Sequence, residues 1–103
     1  MKKSFFLLAI FASFFFFSCS QSTDVVDTGT YTGTVDEVEP EKTEIYVETE
    51  DGKILELYFT DATTLTKDGV DAEFSELEEG QKVEVELERI GKRLDPIAVR
   101  ILE

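Results

Sequence analysis

Few side chains in this sequence could do chemistry: one thiol at Cys19, three phenols at Tyr31, Tyr46 and Tyr58, and 23 carboxylates. Histidine is absent, so the Ser–His and Cys–His arrangements that activate a nucleophile cannot be assembled. Transition-metal sites built on imidazole or thiolate lack their donors for the same reason. Hard cations take oxygen ligands instead. Asp68-Gly69-Val70-Asp71 lacks the spaced acids and closing glutamate of an EF-hand loop, and Asp51-Gly52 has the sequence of a hairpin turn. Glu84, Glu86 and Glu88 fall on one strand face, where water is a sufficient partner for them. No metal, no cofactor and no catalysis is therefore expected, and Tyr46 and Tyr58 remain as the expected ligand contacts.

Ahead of the thiol, Lys2 and Lys3 give a positive start, and Phe5 to Phe17 form an apolar run broken only by Ser13. A cationic start, an apolar segment and a small residue at the cut describe a secretory signal peptide. The run has 13 residues. As a helix it would rise about 20 Å, short of the ~30 Å of hydrocarbon that a membrane span must cross. Cys19 has no second cysteine to pair with, which leaves a bystander at the cleavage site, a core position or an intermolecular disulfide. Ser18-Cys19, directly after the apolar run, resembles the bacterial lipobox, in which a small residue precedes a cysteine that is lipid-modified and becomes the mature N-terminus. That family usually has leucine where this chain has Phe16. The resemblance implies a removed leader at residues 1–18 and a lipidated Cys19, carrying acyl chains such as palmitate. Residues 19–28, polar apart from Val25-Val26, are the expected flexible tether, and 29–103 the domain.

Loss of the leader takes seven of nine phenylalanines and two of ten basic residues but no acid. The mature chain then carries eight basic and 23 acidic residues, a net charge of −15 over 85 residues. Such a charge favours solubility. It opposes nucleic-acid binding, which depends on Lys and Arg neutralising phosphates, and it keeps the domain off an anionic lipid surface.

The elements that must position the tyrosines follow from period-two alternation. Tyr31, Gly33 and Val35 share one face of a first strand over 30–39, and Val38 rejoins that face only if a bulge falls near Asp36-Glu37. Ile45 and Val47 alternate with Glu44 and Glu48 in a second strand; Leu55, Leu57 and Phe59 alternate with Glu56 and Tyr58 in a third. A two-residue Asp51-Gly52 loop would put the two apolar sets on opposite faces. A three-residue loop with Gly52 left-handed pairs Val47 with Leu55 and Ile45 with Leu57, so one buried face selects it. Tyr46 and Tyr58 then both point away from the core. Residues 63–66 read as a further short strand closed by a turn at Lys67-Asp68-Gly69. Residues 74–80 carry the signals of a short helix, with Ser75 and Glu78 as a capping box and Gly80 as its left-handed stop. Val83, Val85 and Leu87 mark the next strand, Gly91-Lys92-Arg93 a turn, and Ile97, Val99 and Ile101 the last strand, with Pro96 near its start.

Three strands, a short helix and two strands, with Gly33 in a bent first strand, resemble the five-stranded OB-fold barrel. Ser75-Glu76-Leu77-Glu78-Glu79-Gly80-Gln81-Lys82-Val83 and Ala98-Val99-Arg100-Ile101 resemble a family of bacterial OB-fold domains found on exported proteins and lipoproteins. The resemblance implies a mainly β chain and a barrel after the leader and tether. Many OB-folds bind on the face of strands two and three with aromatic contacts, the strands that carry Tyr46 and Tyr58. The expected function is that of a non-catalytic, lipid-anchored binding module of the cell envelope for an unidentified ligand. The alternative is a structural accessory subunit docking on a larger envelope complex. Nucleic acid is not an expected partner.

Overall fold

Alternation of apolar and acidic residues buries Ile45, Val47, Leu55, Leu57, Val83, Val85, Leu87 and Val99 completely on one side of a single curled sheet. The computed structural model describes residues 22–102; the leader and Cys19 lie outside them. The strands are β1 (Gly29–Glu39), β2 (Glu44–Thr49), β3 (Ile54–Tyr58), β4 (Thr64–Lys67), β5 (Val70–Asp71), β6 (Lys82–Ile90) and β7 (Arg93–Ile101). Their order is β3-β2-β1-β6-β7-β4-β5, antiparallel except where β4 runs parallel to β7. The expected third strand and the separate short strand expected at 63–66 are present as β3 and β4. β3 pairs with β2, a turn follows (Thr63 N–H to Thr60 O, 3.0 Å), and β4 then pairs with β7. The chain thus steps from one end of the sheet to the other and curls it into an OB-like barrel, with β3 packed near β7. Inside lie the residues above together with Val35, Leu65, Leu77, Leu94 and Ile101.

The registers are those that parity demands. Ile45 pairs with Leu57 and Val47 with Leu55. Thr49 N–H donates to Lys53 O at 2.8 Å, which leaves Glu50-Asp51-Gly52 as the loop, with Gly52 left-handed at φ +85°. The Thr49 hydroxyl also donates to Asp51 Oδ1 and holds that carboxyl below its usual range. In β1 the pairing slips between Val35 and Glu37, so Asp36 is the extra residue and Val38 returns to the core side. Gly33 is required where β1 crosses β2 closely: a Cβ there would run into the Glu48 carbonyl and stand 2.8 Å from Val47 Cγ1.

Two expectations need correction. Residues 74–80 do not form a helix; a single 3-10 turn covers Phe74–Glu76, and its acids are Glu73 and Glu76, with Glu73 N–H donating to Glu76 Oε2 at 3.0 Å. Ser75 and Glu78 are not its capping pair. Leu77 leaves in an extended conformation to enter the core, and Gly80 N–H then bonds Val35 O at 2.8 Å, so tertiary ties replace a second turn. Gly80 is nevertheless left-handed, at φ +93°. Ile97 is the second correction. A register shift matches Glu86 with Ala98 but Leu87 with Pro96, and this bulge turns Ile97 outward, 41% exposed. Pro96 takes the inward place, and a bulge suits a residue without an N–H.

Residues 24–28, within the expected tether, lie against the barrel. Asp24 N–H donates to Ile54 O at 2.8 Å, Ile54 N–H to Asp24 Oδ2 at 2.9 Å, and Arg89 N–H to the Thr28 hydroxyl at 2.9 Å, while Val26 is buried.

Candidate ligand-binding face

The outer face of β1, β2 and β3 carries two rows of three residues. One row across the strands is Glu37–Tyr46–Glu56, and the other is Glu39–Glu44–Tyr58. Each row holds two carboxyls and one phenol. Over β2 and β3 alone, Tyr46 and Tyr58 occupy one diagonal of a square and Glu44 and Glu56 the other. This square places Tyr46 and Tyr58 together on the face expected for them, since diagonal cross-strand neighbours are within reach of aromatic side chains. Tyr58 is 46% exposed and donates its hydroxyl to Glu56 Oε2 at 3.1 Å. Tyr31 stands apart, its hydroxyl donating to Asp27 O at 2.6 Å.

Glu44 was not singled out by alternation, which gives it only an outward position. It is completely buried, and neither carboxyl oxygen has a hydrogen-bond partner. Its neighbours on the face are Tyr58 across β3, Glu39 across β1 and Tyr46 two residues along. No ion pair among the described residues joins any of the six. The residue before Glu44 is also strained: Thr43 is left-handed at φ +46°, rare for a β-branched side chain. Its conformation is held by Phe59 N–H to Thr43 O at 2.8 Å and by Thr43 N–H to Pro40 O at 3.2 Å. Backbone strain of this kind costs about 1–3 kcal/mol and gathers at functional sites.

The titrations reflect carboxyls crowded together and partly buried. Glu44 stands close enough to the Tyr58 hydroxyl to be the largest influence on it, although the geometry falls short of a formed hydrogen bond. With Glu56 it pushes that phenol up to about 12. Burial raises Tyr46 further, helped by Glu44 and Glu56. The Glu56 carboxyl is raised by Glu44 beside it and by burial, partly offset by Tyr58 and Tyr46. Glu37 is raised chiefly by Glu39. Beyond these two opens an acidic cleft of about 670 Å³, lined by Asp36, Glu37, Glu39, Glu41 and Glu79 with Val38 and Pro40. On the other side, Glu56 and Tyr58 border a smaller pocket of about 150 Å³ together with Asp24, Lys92 and Arg93.

No group of three or more His, Cys, Asp or Glu among the described residues is arranged to hold a metal ion. No protein-family model and no curated protein matches the chain. Solved structures do. A copper(II) form of a CusF variant from Escherichia coli has a TM-score of 0.59 at 15% identity, covering 73% of this chain and 91% of that one. A silver(I) form of CusF has a TM-score of 0.55 at 15% identity, covering 71% and 95%. Metal-free CusF from Escherichia coli has a TM-score of 0.57 at 15% identity, covering 73% and 87%. At this identity the likeness concerns the fold: the chain is a small, mainly β barrel of the CusF kind.

Proposed function

We propose that this chain is a non-catalytic, lipid-anchored binding module of the bacterial cell envelope that takes its ligand on the Tyr46/Tyr58 face. The observation that carries the reading is the outward diagonal of these two phenols on β2 and β3, the strands whose outer face many OB barrels use. The CusF structures, two of them with bound metal, support the idea of a barrel of this size as a binding domain. Copper or silver is not the ligand proposed here. Soft ions select thiolate and thioether donors, and residues 22–102 contain no histidine, cysteine or methionine.

The anchor rests on Cys19 behind a phenylalanine-rich leader, and more than one acyl chain would hold the domain stably at a membrane. Two measurements test the parts separately. Cys19→Ala is expected to move the protein from the membrane to the soluble fraction and to abolish labelling with a lipid precursor; a variant still held in membranes sinks the anchor. Mass spectrometry of small molecules co-purifying with the native protein is expected to give a species that the Tyr46→Ala, Tyr58→Ala double variant loses. Loss of a partner protein instead would favour an accessory subunit docked through the same face.

A further inference from the structure

We infer that the square of Glu44, Tyr46, Glu56 and Tyr58 is a site for an alkylammonium cation, with Glu44 as its anchoring carboxylate. The inference rests on the binding face proposed above and names the chemical class that fits it. A buried carboxyl with both oxygens unpartnered is the exception among native polar groups. It is costly unless a donor or an opposite charge arrives. The Tyr46 and Tyr58 hydroxyls stand beside it without completing a bond of normal geometry, and no cation among the described residues pairs with it. Arg93 lines the neighbouring pocket but is held by Asp95, at 2.7 and 3.1 Å, and Lys92 makes no ion pair.

An alkylammonium matches what is missing. Its three N–H donors can be shared between the two Glu44 oxygens and Glu56, and phenol rings on both flanks suit a cation against an aromatic surface. A hard metal ion fits less well, because it wants six or more oxygen ligands and the carboxyls here are not grouped for one. Glu44 contributes to the raised titrations of Glu56 and Tyr58 as the largest cause and to that of Tyr46 after burial, so its carboxyl is close to all three groups. Tyr58 is nearly half exposed and bonded to Glu56, so the solvent side of the square is formed by that ring and the Glu56 carboxyl.

The test titrates the full-length protein in detergent with cadaverine and, separately, with a short peptide whose lysine supplies the ammonium. Calcium and tetramethylammonium are the comparison cations, and binding is followed by calorimetry and by tyrosine emission, which no tryptophan obscures. Saturable binding of cadaverine is expected, weakened about tenfold or more in Glu44→Gln, the factor that a lost charge-assisted hydrogen bond commands. Glu56→Gln should weaken it less, and Glu88→Gln on β6 not at all. Binding of the peptide but not cadaverine would assign the ammonium to a protein side chain; cadaverine alone would assign it to a free amine. Equal binding by wild type and a folded Glu44→Gln variant overturns the inference, as does preference for calcium or absence of saturation by either ammonium. If the double tyrosine variant loses a co-purifying species that is neutral or anionic, the ammonium site is wrong while the binding module stands. If that variant loses nothing, the binding face itself is wrong.

Discussion

Glu44 sets a cost that the rest of the barrel must offset. An unsatisfied buried polar group costs about 1–3 kcal/mol, and more when charged. Removing the group rather than one of its partners should therefore stabilise. Glu44→Leu is expected to raise the urea midpoint at pH 7, by about 1–3 kcal/mol in unfolding free energy, while abolishing binding on the face. A site that trades stability for recognition behaves in this way; a Leu variant less stable than wild type would mean that Glu44 is already partnered. Thr43 offers a second test of stored strain. Asparagine tolerates the left-handed region that threonine resists, so Thr43→Asn should be neutral or stabilising by up to about 1 kcal/mol despite losing the threonine hydroxyl. Substitution of Ser75, which is not a cap, should change little.

At the scale of elements, parity did most of the predicting. A single buried face decided the three-residue hairpin loop and called for a bulge near Asp36-Glu37, because any other choice turned Val47 or Val38 to solvent; the register then puts the extra residue at Asp36. It failed in β7, where alternation of Ile97, Val99 and Ile101 continued a pattern that the Pro96 bulge interrupts. Capping signals misled at residues 74–80, where the local helix vocabulary was overridden by the need to drive Leu77 inward and tie Gly80 to Val35. The tyrosine pair was legible from the register, whereas the burial of Glu44 was not. That depends on β1 and β3 flanking it on both sides, which no alternation within β2 can show. The β7 bulge can be checked directly. Ile97→Thr should change stability by less than about 0.5 kcal/mol, as for other exposed positions, whereas Ile101→Ala should cost about 2–5 kcal/mol. Comparable losses at the two positions would put Ile97 back in the core.

For the molecule as a whole, charge should invert the usual dependence of stability on pH. Most proteins lose stability in mild acid because paired carboxylates have lowered titrations. Here Glu37 and Glu56 are raised, the first by Glu39 and the second by Glu44. A carboxyl raised in the folded state binds its proton more readily there than when unfolded. Its contribution is thus complete below the ordinary glutamate value of 4.5 and is lost as pH rises through the higher folded value. Asp51 works the other way, contributing above its ordinary 3.8 and losing that as pH falls. General repulsion among 23 acids adds to the first trend, because lowering the pH discharges a chain with only ten basic residues. The urea midpoint should accordingly rise from pH 8 toward pH 5 before falling at lower pH, and added salt should raise it most at pH 8, where repulsion is greatest. Glu56→Gln should flatten the rise without removing the salt effect, since it eliminates one raised carboxyl and leaves the remaining charge in place. A midpoint that falls steadily from pH 8 to pH 5 would show that lowered carboxylates dominate, and that the acidic face is already neutralised by cations within the chain.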